Sequence, residues 1–331
     1  MNTYQRIELP KDGKFWVKVT LATGQDRIDD QAHLLGVEEI HAINAAIASG
    51  RPLLVRGEPG TGKSQMARAA AKLLNRAFVR HVVDSHTESR DLLWQYDAVH
   101  RLAEAQLAGA LRQEPETIRE GLSVSRFIQP GPMWWAFDWQ GALEQARHTG
   151  TVAEPEQLDG GLWKNGSVLL LDEIDKAETE VPNGLLEVLG NRCFTPKGIG
   201  NAVRMTGNLP LVIITTNEER TLPDPFLRRC LVLFLELPEE KETLLDFLVE
   251  RGQVHFPKAS ATFLREAAGL LYTQRRKALD TRISPLPGQA EYLDLLRAVL
   301  NLTSSAKERD ELLKILAGFT LNKNRARPGS A

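Results

Sequence analysis

Five short apolar runs recur along the first two-thirds of the chain, at 52–55, 78–83, 168–171, 211–214 and 231–235. Most are rich in Val, Ile or Leu and bounded by polar or turn residues, as expected of strands buried on both faces. Helical periodicity fills the gaps. Ile40, Ile43, Ala46 and Ile47 share one face of a segment over 37–48 that Gly50 ends, and an alanine-rich stretch over 63–74 reads as a second helix. Strands alternating with helices predict a parallel sheet covered by helices. Past Pro238 the pattern changes, with helical spacing from 239 to 321 and no convincing strand. The expected organisation is an N-terminal extension over 1–34 with one strand-like stretch at 15–20, an α/β domain over 35–238, and a small helical domain with a tail over 239–331.

Composition narrows the class. The 41 Lys and Arg nearly balance the 43 Asp and Glu, for a net charge of −2. Such a chain shows no global attraction to nucleic acid or anionic membrane. The one basic stretch, over 322–327, reads as a frayed tail. Cys193 and Cys230 lie 37 positions apart, which matches neither a zinc spacing nor a disulfide framework and suits a reducing cytosol. Charged and polar groups throughout the first 30 residues argue against a signal peptide. No apolar run reaches the length of about 18 residues that a membrane helix needs. A soluble, cytoplasmic protein is expected.

The candidate chemistry lies at the strand ends. Gly57-Glu58-Pro59-Gly60-Thr61-Gly62-Lys63-Ser64 fits G-x-x-x-x-G-K-[ST] and falls between a strand and a helix, the context a phosphate-binding loop requires. Its glycines let backbone N–H groups turn inward on phosphates, and the helix N-terminus adds its positive end. Lys63 is placed to reach the β- and γ-phosphates and Ser64 to ligate Mg²⁺. Val168-Leu169-Leu170-Leu171 ends in Asp172 and Glu173, which puts two carboxylates at the ligand-binding edge of an open sheet. Asp172 suits a role in holding the metal, and Glu173 in polarising the attacking water. A third strand ends in Asn217, which can orient that water. Arg228 and Arg229, just before the last strand, can reach a phosphate in the next subunit.

With these four elements in this order, the chain resembles AAA+ ATPases from about 35 to 300. In Arg51-Pro-Leu-Leu-Val-Arg-Gly-Glu-Pro-Gly-Thr-Gly-Lys-Ser64, Leu171-Asp-Glu-Ile-Asp-Lys176 and Thr215-Thr-Asn-Glu218 it is similar to the MoxR group and its CbbQ and NorQ relatives. The resemblance implies a five-stranded parallel P-loop sheet flanked by helices, a small C-terminal α-helical lid, and ATP with Mg²⁺ as cofactors. It makes Gly57 to Ser64 the Walker A loop, with Gln65 beside it. Asp172 and Glu173 become Walker B and Asn217 sensor 1. Arg228 or Arg229 is the arginine finger, Arg229 being the closer match. In the stretch 281–294, where a basic sensor-2 residue is expected, Arg282 is the only close base.

Lys63 and Asp172 stand 109 positions apart, whereas two βα units need only about 60 residues. The surplus, about 91–166, resembles the helix-2 insert of the clade that contains MoxR. Its aromatic run from Phe127 to Trp139 has two readings, a pore-facing loop that grips a client or rings packing the insert onto the core, and the second is preferred because aromatics mostly pack. Residues 193–205 resemble a pre-sensor hairpin, in which Lys197 and Arg204 are either candidates for client contact or part of a solvated hairpin.

By resemblance the chain forms a homo-oligomeric ring, hexameric in the family, with chaperone-like action on a protein client or a von Willebrand factor A-domain partner. No Asp-x-Ser-x-Ser pattern occurs here, so such a partner lies on another chain or outside these residues. Two other functions fit the same motifs, a nucleotide-gated signalling or assembly scaffold and a nucleic-acid translocase. The charge balance disfavours the translocase.

Overall fold

Alternate residues of the central strands belong to different hydrophobic cores, and this sets the layering. Leu54, Leu169, Leu171, Val212 and Ile214 pack on one side, and Leu53, Val55, Val168, Leu170, Leu211 and Ile213 on the other. A strand with both faces buried has no polar alternation, which is why these segments read as continuous apolar runs. The computed structural model describes residues 5–11, 15–22, 31–111, 114–150, 152–282 and 284–322. The basic stretch of the tail therefore lies almost wholly outside the described residues.

An antiparallel pair, β1 (Trp16–Leu21) and β2 (Gln31–Gly36), leads into α1 (Val37–Ser49). β3 (Leu53–Arg56) is followed by α2 (Lys63–Leu73) and β4 (Arg76–Val82). The insert holds β5 (Trp94–Tyr96), α3 (Ala98–Ala110), α4 (Pro115–Gly121), β6 (Ile128–Pro130), α5 (Pro132–Phe137) and α6 (Trp139–Thr149). β7 (Leu162–Asp172), α7 (Glu180–Asn191), a short hairpin of β8 (Cys193–Phe194) and β9 (Val203–Arg204), β10 (Leu211–Thr216), α8 (Asp224–Leu227) and β11 (Leu231–Phe234) follow. β3, β4, β7, β10 and β11 form the parallel sheet, in the order β11-β3-β10-β7-β4. The phosphate loop thus emerges between β11 and β10, the position from which neighbouring strand ends can reach its ligand.

The apolar face of α1 and the alanines of α2 cover one side of the sheet. The insert covers the other. Met133, Trp134, Trp135, Phe137 and Trp139 are buried there with α7 and Phe226. Trp135 meets Trp139 edge-on at 5.3 Å, and Trp134 meets Phe194 of the hairpin at 6.0 Å. The aromatic run is therefore core, and its rings fasten both insert and hairpin to the sheet. Lys197 and Arg204 of the hairpin region remain exposed.

β7 starts at Leu162, well before the apolar run at 168, because its first residues are polar or exposed. Among the described residues four helices follow, α9 (Lys241–His255), α10 (Ala261–Asp280), α11 (Gln289–Leu302) and α12 (Ala306–Thr320). They share a core of their own around Leu248, Leu264, Leu271, Tyr292, Leu296 and Leu313. The Tyr292 hydroxyl, fully buried, donates to Leu264 O at 3.1 Å. Among the described residues, no helix is long and apolar enough to cross a membrane.

Phe137 is 1% exposed at the meeting of insert, hairpin and sheet. Phe137→Ala should cost about 3–5 kcal/mol, whereas Val99→Ala on the exposed face of α3 should stay within about 0.5 kcal/mol; urea denaturation followed by fluorescence checks both.

Candidate functional site

The loop between β3 and α2 has a shape that only glycine permits at key positions. Gly57 has φ +143°, and a Cβ there would sit 2.2 Å from Leu235 O. Gly60, at φ +78°, is pressed against Ala290, 2.9 Å from where its Cβ would stand. Lys63 opens α2 and is buried. Its ammonium donates to Gly57 O at 2.6 Å and Glu58 O at 2.8 Å. Burial pushes its pKa down, and Asp172 nearby opposes that shift. Ser64 follows at the helix start, with Gln65 half-buried beyond it.

Asp172 is the electrostatic centre. Its carboxylate, 5% exposed, accepts from Ser64 Oγ at 2.8 and 2.9 Å, from Thr215 Oγ1 at 2.7 Å and from the Arg80 guanidinium at 2.8 Å. A buried charge needs such partners to be tolerated. The Ser64 hydroxyl and the Asp172 carboxylate are hard oxygen donors already in contact, a set that fits Mg²⁺ sharing its shell with water and phosphate. Arg80 came unannounced, since a single arginine in a β-strand carries no local signature.

Glu173 adopts a left-handed backbone, φ +63°, and its N–H donates to Thr215 Oγ1 at 2.9 Å. One threonine hydroxyl therefore fixes both acids. The Glu173 side chain pairs with Lys176 through Oε2 and receives Asn217 Nδ2 on Oε1 at 3.4 Å. Asp175, buried to 2% exposure, accepts from the backbone N–H of Asn217 and, at 2.9 Å, from that of Glu219. It holds the turn that carries Asn217. Its signal was its place in the Asp-Glu-Ile-Asp stretch, though nothing there told its task. Glu173, Asn217, Asp172, Ser64 and Lys63 thus gather at one edge of the sheet.

Arg228 and Arg229 do not join them. They are exposed and follow α8 at the opposite edge. Because Leu231 pairs with Leu53 and Phe234 with Arg56 in parallel register, Arg229 lies two residues before that pairing and Gly57 one residue after it. The offset along the strands is roughly 20 Å. Arg51 clasps this turn, donating to Arg229 O at 3.0 Å and also to Arg228 O. Arg282 stands at the end of α10, exposed and left-handed at φ +53°. The arginine from the C-terminal helices that touches the phosphate loop is Arg275, paired with Glu58.

Residues 52–230 match the family described as AAA domain (dynein-related subfamily). Comparison with curated proteins gave no match. A solved structure from Cytophaga hutchinsonii, described there only as a proposed ATPase, aligns at 16% identity and TM-score 0.37 over 86% of this chain and 80% of its own. That likeness is too distant to carry an argument.

Cys230 closes the arginine turn, and burial pushes its thiol up to about 12. It stays protonated at neutral pH, and thiolate chemistry begins only as pH nears that value. Maleimide at pH 7.5 should label the half-buried Cys193 and spare Cys230, while Arg51→Ala should loosen the turn and admit a second label; mass spectrometry of tryptic peptides reads the outcome.

Proposed function

Because the chain belongs to the AAA domain family, in its dynein-related subfamily, we propose that it is an ATPase that hydrolyses ATP between the subunits of a ring and uses the cycle to remodel or activate a protein partner, in the manner of MoxR-type proteins. The observation that carries this reading is the division of the site between two ends of one sheet. The phosphate loop and its acids occupy one end. The paired arginines stand roughly 20 Å away at the other, out of reach of their own chain's loop and free to serve the loop of a neighbour. A closed ring of identical subunits repeats that contact without leaving an end. A hexamer is the expected size, in the cytoplasm.

The contacts support a role for each residue. Lys63 exchanges its two carbonyl partners for phosphate oxygens. Ser64 and Asp172 hold Mg²⁺, which when bound neutralises charge on the phosphates. Glu173 accepts the proton of the attacking water, and Asn217 keeps its carboxylate aimed. Lys176 competes for that carboxylate, so the Glu173–Lys176 pair must loosen before Glu173 can act as a base. Arg229 or Arg228 from the neighbour stabilises the charge that spreads over the γ-phosphate oxygens. The partner is a protein, for which a von Willebrand factor A domain is the expected type.

Sedimentation velocity with and without ATP–Mg²⁺, alongside phosphate release, tests the reading. Glu173→Gln should assemble with ATP and lower turnover by at least about a hundredfold. Arg229→Ala subunits mixed with Glu173→Gln subunits should regain part of the lost activity only if the arginines act across the interface. A monomer that hydrolyses ATP at full rate would overturn the intersubunit scheme.

A further inference from the structure

Glu58 is an acid inside a loop built to receive anions. Left alone, its carboxylate would repel a triphosphate, so its partner matters. That partner is Arg275 of α10. Its guanidinium meets the carboxylate with both prongs, NH1 to Oε2 at 2.7 Å and NH2 to Oε1 at 2.9 Å. The Arg275 side chain is 13% exposed and that of Glu58 36%, so solvent screens the pair only in part, and its forked geometry makes it directional. Arg275 also donates to Pro287 O at 3.3 Å, in the turn before α11. The first residues of α11 press on the same loop, with Ala290 against Gly60 and Gly288 near Pro59 O. The lid therefore touches the phosphate loop twice, once by charge and once by close steric fit.

The backbone of Glu58 serves a different contact. Its carbonyl, with that of Gly57, holds the ammonium of Lys63. A phosphate that captures Lys63 takes it from these two carbonyls and frees the peptide on which the Glu58 side chain is mounted. One residue thus meets the phosphate-reading lysine through its main chain and the lid through its carboxylate. We propose that the Glu58–Arg275 pair reports occupancy of the phosphate loop to the helical lid, with Arg275 as a positioning residue that acts on the nucleotide through Glu58. This rests on the reading that the loop 57–64 takes ATP. Arg282, by contrast, lies past the end of α10 at Asp280, with a left-handed backbone.

The test uses the full chain in a Glu173→Gln background, with a fluorescent N-methylanthraniloyl ATP as probe and amide hydrogen exchange over Ala261–Asp280 as the lid readout. Arg275→Ala leaves the carboxylate unpaired beside the phosphates and should weaken probe binding roughly tenfold. Glu58→Gln/Arg275→Ala removes that charge and should return affinity to within about threefold of the parent. With Glu58→Gln alone, measured at saturating probe, the α10 exchange should no longer respond to the probe as the parent's does. Equal binding by Arg275→Ala and parent would overturn the proposal. So would a double variant as weak as Arg275→Ala, or an α10 response that survives Glu58→Gln. Lys63→Ala separates the two levels: if probe binding persists without Lys63, the loop reading itself fails, whatever the pair does.

Discussion

The carboxylate of Asp172 joins the sheet to the phosphate loop. It ends β7, accepts from Ser64 at the start of α2 and from Thr215 on β10, and is charge-balanced by Arg80 on β4. Three neighbouring strands and one helix therefore converge on a single buried group. A buried carboxylate with one partner missing costs more than the lost bond, because the remaining charge is stranded. That penalty locks the strand ends in register. The Thr215 hydroxyl extends the constraint to Glu173 by accepting its N–H. The left-handed backbone at Glu173 is unusual for a residue with a side chain, and it persists because these bonds over-determine it.

The opposite edge of the sheet is built differently. Arg228 and Arg229 are exposed and held through their carbonyls by Arg51, and among the described residues their guanidinium groups have no ion-pair partner. Clasping the main chain in this way leaves the head groups available for an outside contact. It also lowers the conformational entropy that a flexible loop would lose on making that contact.

Much of this was legible in the residues, for reasons specific to each element. The central strands β3 and β10 and the inner half of β7 announced themselves because both faces are buried, and the phosphate loop because its glycines and Lys63 form a contiguous pattern. The acids of β7 were legible from their place at a strand end. The first half of β7 was not, since Leu162-Trp163-Lys164-Asn165 is exposed and carries no apolar run. Strand β2 and the three-residue pair β5–β6 were equally silent, being too short or too mixed to show a period. Arg80 and Arg275 form long-range pairs, 92 and 217 positions apart, and no local pattern encodes such a partner. The aromatic run was read as packing on its composition alone, and its burial against the sheet and the hairpin agrees.

The break within β7 has a mechanical consequence. Its inner half is bonded on both sides, to β4 and β10, while its outer end carries the exposed Leu162 and Trp163. The two parts meet at Gly166, whose φ of +99° breaks the extended run where the pairing with β4 jumps from Leu162 to Ser167, so the continuous ladder is the inner part from Ser167 to Asp172, roughly 20 Å long. That inner part is a rigid rod ending at the Asp172 carboxylate, bonded along both edges. A displacement of the outer end at Trp163 is taken up at Gly166 instead of being carried to Asp172.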